Sequence, residues 1–450
     1  MFDALAEKKN VSEESTLADR IFDEEQLYIS PGIQQVSLLS RIVMKEARGR
    51  YITDVNGKKY LDFMAGVAVC SLGHCHPEYV KAISDQLNKV TVGSFCTENR
   101  LELVKLIASL APGDLKRTQF FSGGAEAVEA AIRLAKAYTK KQEIIGFWGG
   151  FHGKTGGVLG LIGDPFKKNW GLPHPGLHLV PYADCYRCVF KMKYPGCGMH
   201  CLEFLKYYIE NCTVGSIAAI IVEPMQGTAG NIVPPAEFMP KLKKIAEENE
   251  CLLIADEMIT GFGRTGKFWG CDHTGVVPDI LTMGKGMGSG FPVSGLISTD
   301  EITSARPYSK PSASSSSYGG NPLGATAALA TIRLIQKEGL VDNAHRVGEF
   351  IMDGLKELQK KYEFIGIVRG IGLMIGVELV KDRETKEPID KKVCEKMFLK
   401  TIEKGLISMN YKPQFRINPP LSITKEEAQQ GLEILDDVFG YVEKNLPYKK

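Results

Sequence analysis

Short apolar runs alternate with helix-like stretches through the middle of the chain. The runs are TQFFS, EIIGFW, IAAIIV, CLLIA, DILTM and SGLIS, and between them lie segments such as AEAVEAAIRLAKAYTKK and EFMPKLKKIAEENE. The runs lack the apolar and polar alternation of a strand that faces water on one side, and the longer segments have helical spacing. Such a pattern is typical of a mostly parallel sheet covered by helices on both faces. We therefore predict an α/β fold, with one large domain over residues 66–335.

Different patterns flank this region. Residues 1–65 predict an irregular arm followed by a hairpin, because GRYITDVNGKKYLDF contains the two-residue turn signal Asn56-Gly57. After the large domain, a long helical pattern broken at Gly339 leads to short strand patterns and a final amphipathic helix. We predict a smaller α+β domain over residues 336–450, with the N-terminal arm packed against it.

Composition narrows the function more than the fold. The 450 residues include 55 Lys and Arg against 53 Asp and Glu, so the net charge of +2 gives no field that would attract nucleic acid or an anionic membrane. No stretch approaches the roughly 18 consecutive apolar residues of a membrane span, and the first residues lack an apolar signal core. The 11 cysteines lie mostly singly in hydrophobic segments. The sequence predicts a cytoplasmic protein that acts on small molecules.

Polar residues follow four of the predicted strands at the point where each strand ends. TQFFS leads to Gly123 and Gly124, IAAIIV to Glu223, CLLIA to Asp256, and DILTM to Lys285. Ligands of open parallel sheets bind beyond the carboxyl ends of the strands. We therefore expect these groups to share one rim of the sheet.

The glycine pair opens a strong helical pattern, SGGAEAVEAAIRLAK. Free backbone N–H groups and the helix dipole favour an anion at such a start, above all a phosphate, and the predicted donors are Gly123, Gly124 and Ala125. A plain tight turn into a helix is the alternative interpretation.

Asp256 and Lys285 extend the chemistry of the rim. A carboxylate directly after a buried strand needs a partner that rewards its charge, and a protonated heterocyclic nitrogen would do so; a helix cap or a salt bridge is the simpler alternative. Lys285 lies in GKGMGSGF, where glycines let a ligand approach the backbone closely. A lysine amine forms a Schiff base with an aldehyde cofactor that also carries a phosphate and a pyridine nitrogen.

The segment GFGRTGKF matches two nucleotide-binding patterns in part. Gly261, Gly263 and Gly266 fit GxGxxG, and the stretch to Lys267 fits most of a P-loop. Both patterns require a helix directly afterwards, whereas the following residues are broken by glycines and a proline, and Phe268 stands where a P-loop needs Ser or Thr. A nucleotide-binding protein is thus the rival hypothesis from another functional class.

The motifs FHGKT, VEPMQG, LLIADEMITGFGRTGK, TMGKG, SSSYGGNPLG and FRINPPL, in this order, resemble the class III pyridoxal-phosphate aminotransferases, which include 4-aminobutyrate and ornithine transaminases. With YISPG and LGHCHP near the start, the resemblance covers nearly the whole chain. It implies fold type I, pyridoxal 5'-phosphate as cofactor, and a homodimer or dimer of dimers with shared active sites. The implied reaction moves an amino group from an ω-amino acid of the 4-aminobutyrate, β-alanine or taurine type to pyruvate or 2-oxoglutarate. An amino-acid racemase or epimerase on the same fold is the alternative.

The resemblance also implies roles for single residues. Lys285 would bind the cofactor aldehyde and carry the reacting proton, Asp256 would hold the pyridine nitrogen protonated, and Glu223 would orient the group near the cofactor hydroxyl. The remaining implied contacts are Gly123, Gly124, Ala125, Phe151, His152, Ile259 and a partner subunit's Ser317 for the cofactor, and Arg416 and Val67 for the substrate.

Two positions depart from the pattern of relatives that use 4-aminobutyrate or ornithine. Thr228 stands where many of them have a Glu that pairs with the carboxylate-binding arginine, and Ile259 replaces a Gln that commonly contacts the cofactor. Arg416 would then lack that partner, which leaves room for donors other than 4-aminobutyrate.

Four cysteines cluster in CYRCVFKMKYPGCGMHC, at positions 185, 188, 197 and 201. We interpret them as free thiols or a redox-sensitive bridge, and a structural zinc site is the alternative. The resemblance itself requires no metal.

Overall fold

The computed structural model describes residues 15–449, and the first fourteen residues of the predicted N-terminal arm lie outside them. Its strands are β1 (Met44–Arg48), β2 (Tyr51–Asp54), β3 (Lys59–Asp62), β4 (Arg117–Phe121), β5 (Glu143–Phe147), β6 (Leu177–Val180), β7 (Ile217–Val222), β8 (Leu252–Asp256), β9 (Ile280–Met283), β10 (Ser294–Ser298), β11 (Ile365–Ile371), β12 (Met374–Leu379), β13 (Leu406–Ile407) and β14 (Gln414–Ile417).

The helices occupy most of the segments between strands. They are α1 (Leu17–Glu25), α2 (Gln35–Ser40), α3 (Ala65–Ala68), α4 (Pro77–Leu87), α5 (Glu98–Leu110), α6 (Gly124–Thr139), α7 (Gly156–Leu159), α8 (His200–Cys212), α9 (Phe238–Glu248), α10 (Asp300–Thr303), α11 (Pro322–Lys337), α12 (Leu340–Lys361), α13 (Lys391–Glu403) and α14 (Lys425–Asn445). Within residues 15–449, no helix combines the length and the apolar content that crossing a bilayer would require.

The largest sheet has seven strands in the order β4-β10-β9-β8-β7-β5-β6. β5 to β9 pair in parallel, and β10 runs antiparallel to both of its neighbours. β5, β7, β8, β9 and β10 are buried along their whole length, which explains why they read as unbroken apolar runs. The predicted α/β fold class, with a mostly parallel sheet, is confirmed.

Two smaller sheets complete the fold. β1, β2 and β3 form antiparallel pairs, with Gly57 at φ 87° in the predicted turn, and β3 pairs in parallel with β13 from the C-terminal part of the chain. β11, β12 and β14 form the third sheet, with antiparallel pairing throughout. The pairing of β3 with β13 agrees with an N-terminal arm packed against a C-terminal domain, while the boundaries at residues 65 and 335 stay predictions.

Helix α6 positions the start of the candidate site. Its buried face is made largely of alanines, which let it lie close against β7, β9 and β10. Because β4, β7, β8 and β9 all point the same way, their carboxyl ends and the first turn of α6 meet along one edge of the sheet.

Candidate active site

A cavity of about 380 Å³ opens at this edge of the seven-stranded sheet. Its walls come from the ends of β4, β8 and β9, the first turn of α6, and the loops after β5 and before β10. The predicted residues that line it are Gly124, Ala125, Phe151, His152, Asp256 and Lys285. Side chains far apart in the sequence are thus brought to one site, as expected for strand ends.

Asp256 is the most firmly held group of the cavity. It is 2% exposed, and its Oδ2 lies 2.6 Å from Nδ1 of His152. Its Oδ1 accepts hydrogen bonds of 3.2 Å from the Met258 amide and from the Thr282 hydroxyl. Burial lowers the pKa of His152, but the hydrogen bond and the charge of Asp256 outweigh burial, so this pKa lies above its usual value. The carboxylate therefore has a fixed orientation at the end of β8.

Lys285 enters the cavity from a strained backbone. Its φ is 44°, in the left-handed region that lysine rarely adopts, at the start of a short turn directly after β9. Nζ makes no hydrogen bond or salt bridge within the described residues. Burial is the main cause that lowers the pKa of Lys285, against the opposing charges of Asp256 and Glu223. A lowered pKa increases the fraction of neutral, nucleophilic amine near pH 7.

The predicted anion site lies at the start of α6. The Gly123 amide donates to the side chain of Glu126 at 2.9 Å and does not line the cavity, so its contact with a ligand stays a prediction. Gly124 and Ala125 line the cavity and supply the first helical amides of α6. Gly153, at φ 125°, packs so closely that a side chain there would meet the Ala125 Cβ at 2.5 Å, so only glycine allows this loop to lie against the first turn of α6.

Glu223 joins the cavity to the segment after β7. Its two oxygens accept hydrogen bonds of 2.9 Å from the amides of Phe151 and Gly227. Burial is the main cause that raises the pKa of its carboxyl. Glu223 is buried but does not line the cavity, so it orients the two loops that flank it.

Arg416 reaches the same segment from β14. Its Nη1 lies 3.5 Å from the Gly227 carbonyl oxygen, which is at the limit of a hydrogen bond. Within residues 15–449 no carboxylate lies within 4.0 Å of its guanidinium, although the charges of Tyr411 and Glu223 act on it. Thr228, where a partner would stand, is exposed. The terminal nitrogens of Arg416 are thus available to a ligand carboxylate.

Besides Gly123, Glu223 and Arg416, three further predicted residues lie off the cavity wall. Ile259 packs in an apolar cluster with Ala68 and Met225, so its side chain makes apolar packing contacts there and offers no polar group. Val67, at φ 68°, belongs to four successive left-handed residues over 65–68, a strained turn beside the wall residue Val69. Ser317 is exposed and does not line the cavity of its own chain.

The cysteine cluster holds free thiols, and in the described part of the chain no group of three or more His, Cys, Asp or Glu is placed to hold a metal ion. Burial, together with the neighbouring thiols, raises the pKa of Cys185 to about 11. A thiol with a raised pKa is a poor nucleophile at neutral pH.

The partial P-loop match has a structural explanation. The acid after Asp256, Glu257, is buried and accepts hydrogen bonds of 2.8 Å from the amides of Gly270 and Cys271. These hydrogen bonds connect the two ends of the loop over residues 257–271. The loop continues into a short 3-10 turn at Gly270–His273 and not into an α-helix. The geometry is not that of a phosphate loop.

Sequence reasoning missed several contributors to the site, among them Met258 and Thr282. Met258 lines the cavity, and its sulfur would meet a side chain on Gly124 at 3.1 Å. Thr282 is paired with Asp256 across β8 and β9, and this register is not readable from the sequence. Met258 had a signal, since it lies two residues beyond Asp256.

Comparisons with known proteins agree with this geometry. A family model described as aminotransferase class-III matches residues 33–439. The leucine/methionine racemase of Thermococcus litoralis is 36% identical over 90% of this chain and 91% of its own length. The 5-aminovalerate aminotransferase of Pseudomonas putida is 36% identical over 90% of this chain and 95% of its own. Among solved structures, the PLP-bound amine transaminase of an uncultivated Pseudomonas species superposes with a TM-score of 0.85 at 29% identity, over 92% of this chain and 98% of that one.

Proposed function

The chain belongs to the class III aminotransferases, and from that premise we propose that its amino donor is an ω-amino acid or related amine of the 4-aminobutyrate, β-alanine or taurine type. The acceptor in this proposal is pyruvate or 2-oxoglutarate. As a member of the family, the protein is an enzyme that uses pyridoxal 5'-phosphate and transfers an amino group from a donor to a 2-oxo acid.

One observation carries the proposed site: an unbonded lysine amine, a buried acid and the start of a helix line the same 380 Å³ cavity. The three groups suit the aldehyde, the ring nitrogen and the phosphate of the cofactor, respectively. Gly153 supports this arrangement, because it lets the loop after β5 lie directly against Ala125 at the start of α6. The cofactor, when bound, supplies an electron-accepting ring that makes the substrate carbon acidic.

The chain's own groups then have distinct tasks. Lys285 Nζ would take the proton that leaves the substrate carbon and would deliver it to the cofactor, a role that suits an amine with a lowered pKa. Asp256 is held in one orientation at the cavity wall, since Thr282 and Met258 bind one oxygen and His152 the other, and it is placed to pair with the ring nitrogen. Phe151 and Met258 exclude water from the walls beside it.

Arg416 is proposed to bind the substrate carboxylate. Its guanidinium has only a long contact to Gly227 within the described residues, and a planar fork suits a bidentate carboxylate. Because Thr228 offers no competing charge, the arginine stays available for both donor and acceptor acids.

We further propose a homodimer or a dimer of dimers, in which Ser317 completes the phosphate site of the partner chain. The supporting observation is that Ser317 is exposed on its own chain, in a serine-rich segment without helix or strand. A Ser317→Ala variant mixed with an inactive Lys285→Ala variant would test the sharing of sites, since hybrid dimers then differ from both parents in cofactor affinity.

A panel of donors tests the substrate proposal. Each of 4-aminobutyrate, β-alanine, taurine, ornithine and a branched amino acid is paired with pyruvate and with 2-oxoglutarate, and initial rates are compared. An ω-amino donor should give the highest kcat/KM. A preference for a 2-amino acid donor over all ω-amino donors would refute the substrate assignment while leaving the transaminase activity intact.

Amino-acid racemisation is a second candidate, favoured by the 36% identity to the Thermococcus litoralis racemase. A racemase returns the proton to the opposite face of the same carbon and needs no 2-oxo acid as acceptor. The two activities separate in one experiment without a 2-oxo acid. Without an acceptor, a transaminase converts at most one donor molecule per active site. A racemase instead abolishes the optical rotation of the whole donor pool and, in deuterated water, introduces deuterium at the reacting carbon.

A further inference from the structure

A second cavity lies where two long helices of the C-terminal part begin. Its volume is about 440 Å³, and it shares no wall residue with the candidate active site. Leu340 and Lys425, the first residues of α12 and α14, both contribute to its wall. This size lies within the usual range of small-molecule sites, roughly 300 to 1,000 Å³.

The wall carries three cations and one acid. Arg50 uses Nε to bind Glu427 at 2.7 Å, and its two terminal nitrogens have no hydrogen bond within residues 15–449. Arg346 and Lys425 form no salt bridge with any described residue. The acid, Glu338, is engaged by His76 at 2.8 Å. Arg50 is thus paired with Glu427, whereas Arg346 and Lys425 are cations of the wall without an acidic partner among the described residues.

The backbone adds to this polarity. α12 is a 22-residue helix whose N-cap is Gly339, which makes no side-chain cap to the first amides. These amides and the positive end of the helix dipole face the same region as the cations. Asn343 on the same wall donates hydrogen bonds from its Nδ2 to the carbonyls of Leu421 and Ile423, at 2.7 and 2.9 Å, and these bonds fix the adjoining segment.

We propose that this cavity binds a small oxyanion that carries two or more negative charges, either as phosphate or as several carboxylates. Arg50, Arg346 and Lys425 would donate charge-assisted hydrogen bonds to it, as guanidinium and ammonium groups do to phosphate and carboxylate oxygens. The exposed position of Arg346 and the half-open wall let such a ligand exchange with solvent.

The cavity is connected to the lysine loop through two hydrogen bonds. Ser422 on its wall donates to the Leu72 carbonyl at 2.9 Å, and the Leu72 amide donates to the Ser289 hydroxyl at 3.0 Å. Ser289 lies four residues after Lys285 and in the same glycine-rich segment. A bound anion would thus stabilise a wall that is bonded to the segment holding the active lysine.

Calorimetric titration of the holoenzyme tests the proposal. Inorganic pyrophosphate and citrate are titrated separately at constant ionic strength, with chloride as the balancing anion, into the wild type and into Arg346→Gln and Lys425→Gln. Arg20→Gln is the matched control, because Arg20 is also exposed and its side chain makes no hydrogen bond within the described residues. Because the enzyme is saturated with cofactor, the proposed phosphate site of the active-site cavity is occupied and does not bind the probes.

We expect at least one oxyanion to bind the wild type and the control equally, with roughly tenfold weaker binding for each cavity variant. Transamination without added anion should be unchanged in all four proteins. Preference for pyrophosphate would identify phosphate ligands, and preference for citrate would identify polycarboxylates; both outcomes support the site. Equal affinity in all variants, or no binding of either probe in the millimolar range, would overturn it.

Discussion

The two ends of the candidate active site are built in opposite ways. At the cofactor end, which comprises Asp256, His152, Lys285 and the start of α6, the acid has three partners and is almost fully buried. At the carboxylate end, which comprises Arg416, Gly227 and Thr228, the arginine has one contact of 3.5 Å to a backbone oxygen. Chemistry that every substrate shares is held rigidly, whereas recognition that differs between substrates is left with few internal bonds.

The largest loss should come from the cofactor end. Lys285→Ala removes both the amine that we propose to hold the cofactor and the proposed base, so kcat should fall by at least roughly a thousandfold. The fold should remain, because Nζ makes no bond within the described residues. Lys267→Ala, which changes an exposed lysine in the P-loop-like segment, is the control and should keep full activity. Near-normal turnover of Lys285→Ala, or a loss in the control, would contradict the site.

Asp256→Asn should have the next largest effect. The amide keeps the shape of the carboxylate but removes the charge that we propose to stabilise a protonated ring nitrogen, and we expect kcat to fall roughly 100- to 1,000-fold. The neighbouring Glu257→Gln is the matched control: it loosens a loop held through Gly270 and Cys271, so it should lower the unfolding temperature and change kcat by only a few fold. An equal loss of kcat in both variants would remove the special role of Asp256.

The same pair makes a prediction about pH. The pKa of His152 is raised in the folded protein, so protonated His152 contributes to the free energy of unfolding. This contribution is fully present below the unfolded pKa of about 6.5 and is lost as pH rises through the folded value. Asp256→Asn removes the cause of the shift. The difference in unfolding free energy between wild type and variant should therefore be largest near pH 6 and narrow towards alkaline pH, as followed by urea unfolding. A difference that widens with pH would contradict the assigned ion pair.

The sequence predicted the cofactor end better than the carboxylate end for a physical reason. Strands buried on both faces appear as apolar runs, and a polar residue at the end of such a run must lie at the rim, so Asp256 and Lys285 were identifiable. The four-residue strand β6 and the pairing of Thr282 with Asp256 were not, because they depend on contacts between distant segments. The hydrogen bond from the Gly123 amide to Glu126, a local cap that competes with a ligand, was not foreseen either, and the assignment of Gly123 stays a prediction.

Arg416→Gln tests the carboxylate end. Loss of a charged bidentate donor should raise KM for 4-aminobutyrate and for the 2-oxo acid roughly 10- to 100-fold, with kcat changed much less. Butylamine, which has the same amine but no carboxylate, provides the control and should show an unchanged KM. A similar rise of KM for butylamine would mean that the arginine shapes the site rather than binding the carboxylate.

The smallest effect is expected from Thr228→Glu, which places a negative charge beside the segment that Arg416 contacts. Because residue 228 is exposed, the new ion pair would be weak and screened, so KM for carboxylate substrates should rise only about two- to fivefold. Thr228→Gln has the same length without the charge and should leave KM unchanged. Since screening weakens the competing pair, high salt should shrink the difference between the Glu and Gln variants. A difference that persists unchanged in salt would indicate a shape effect, and the contrast between a closed cofactor end and an open carboxylate end would then rest on packing instead of charge.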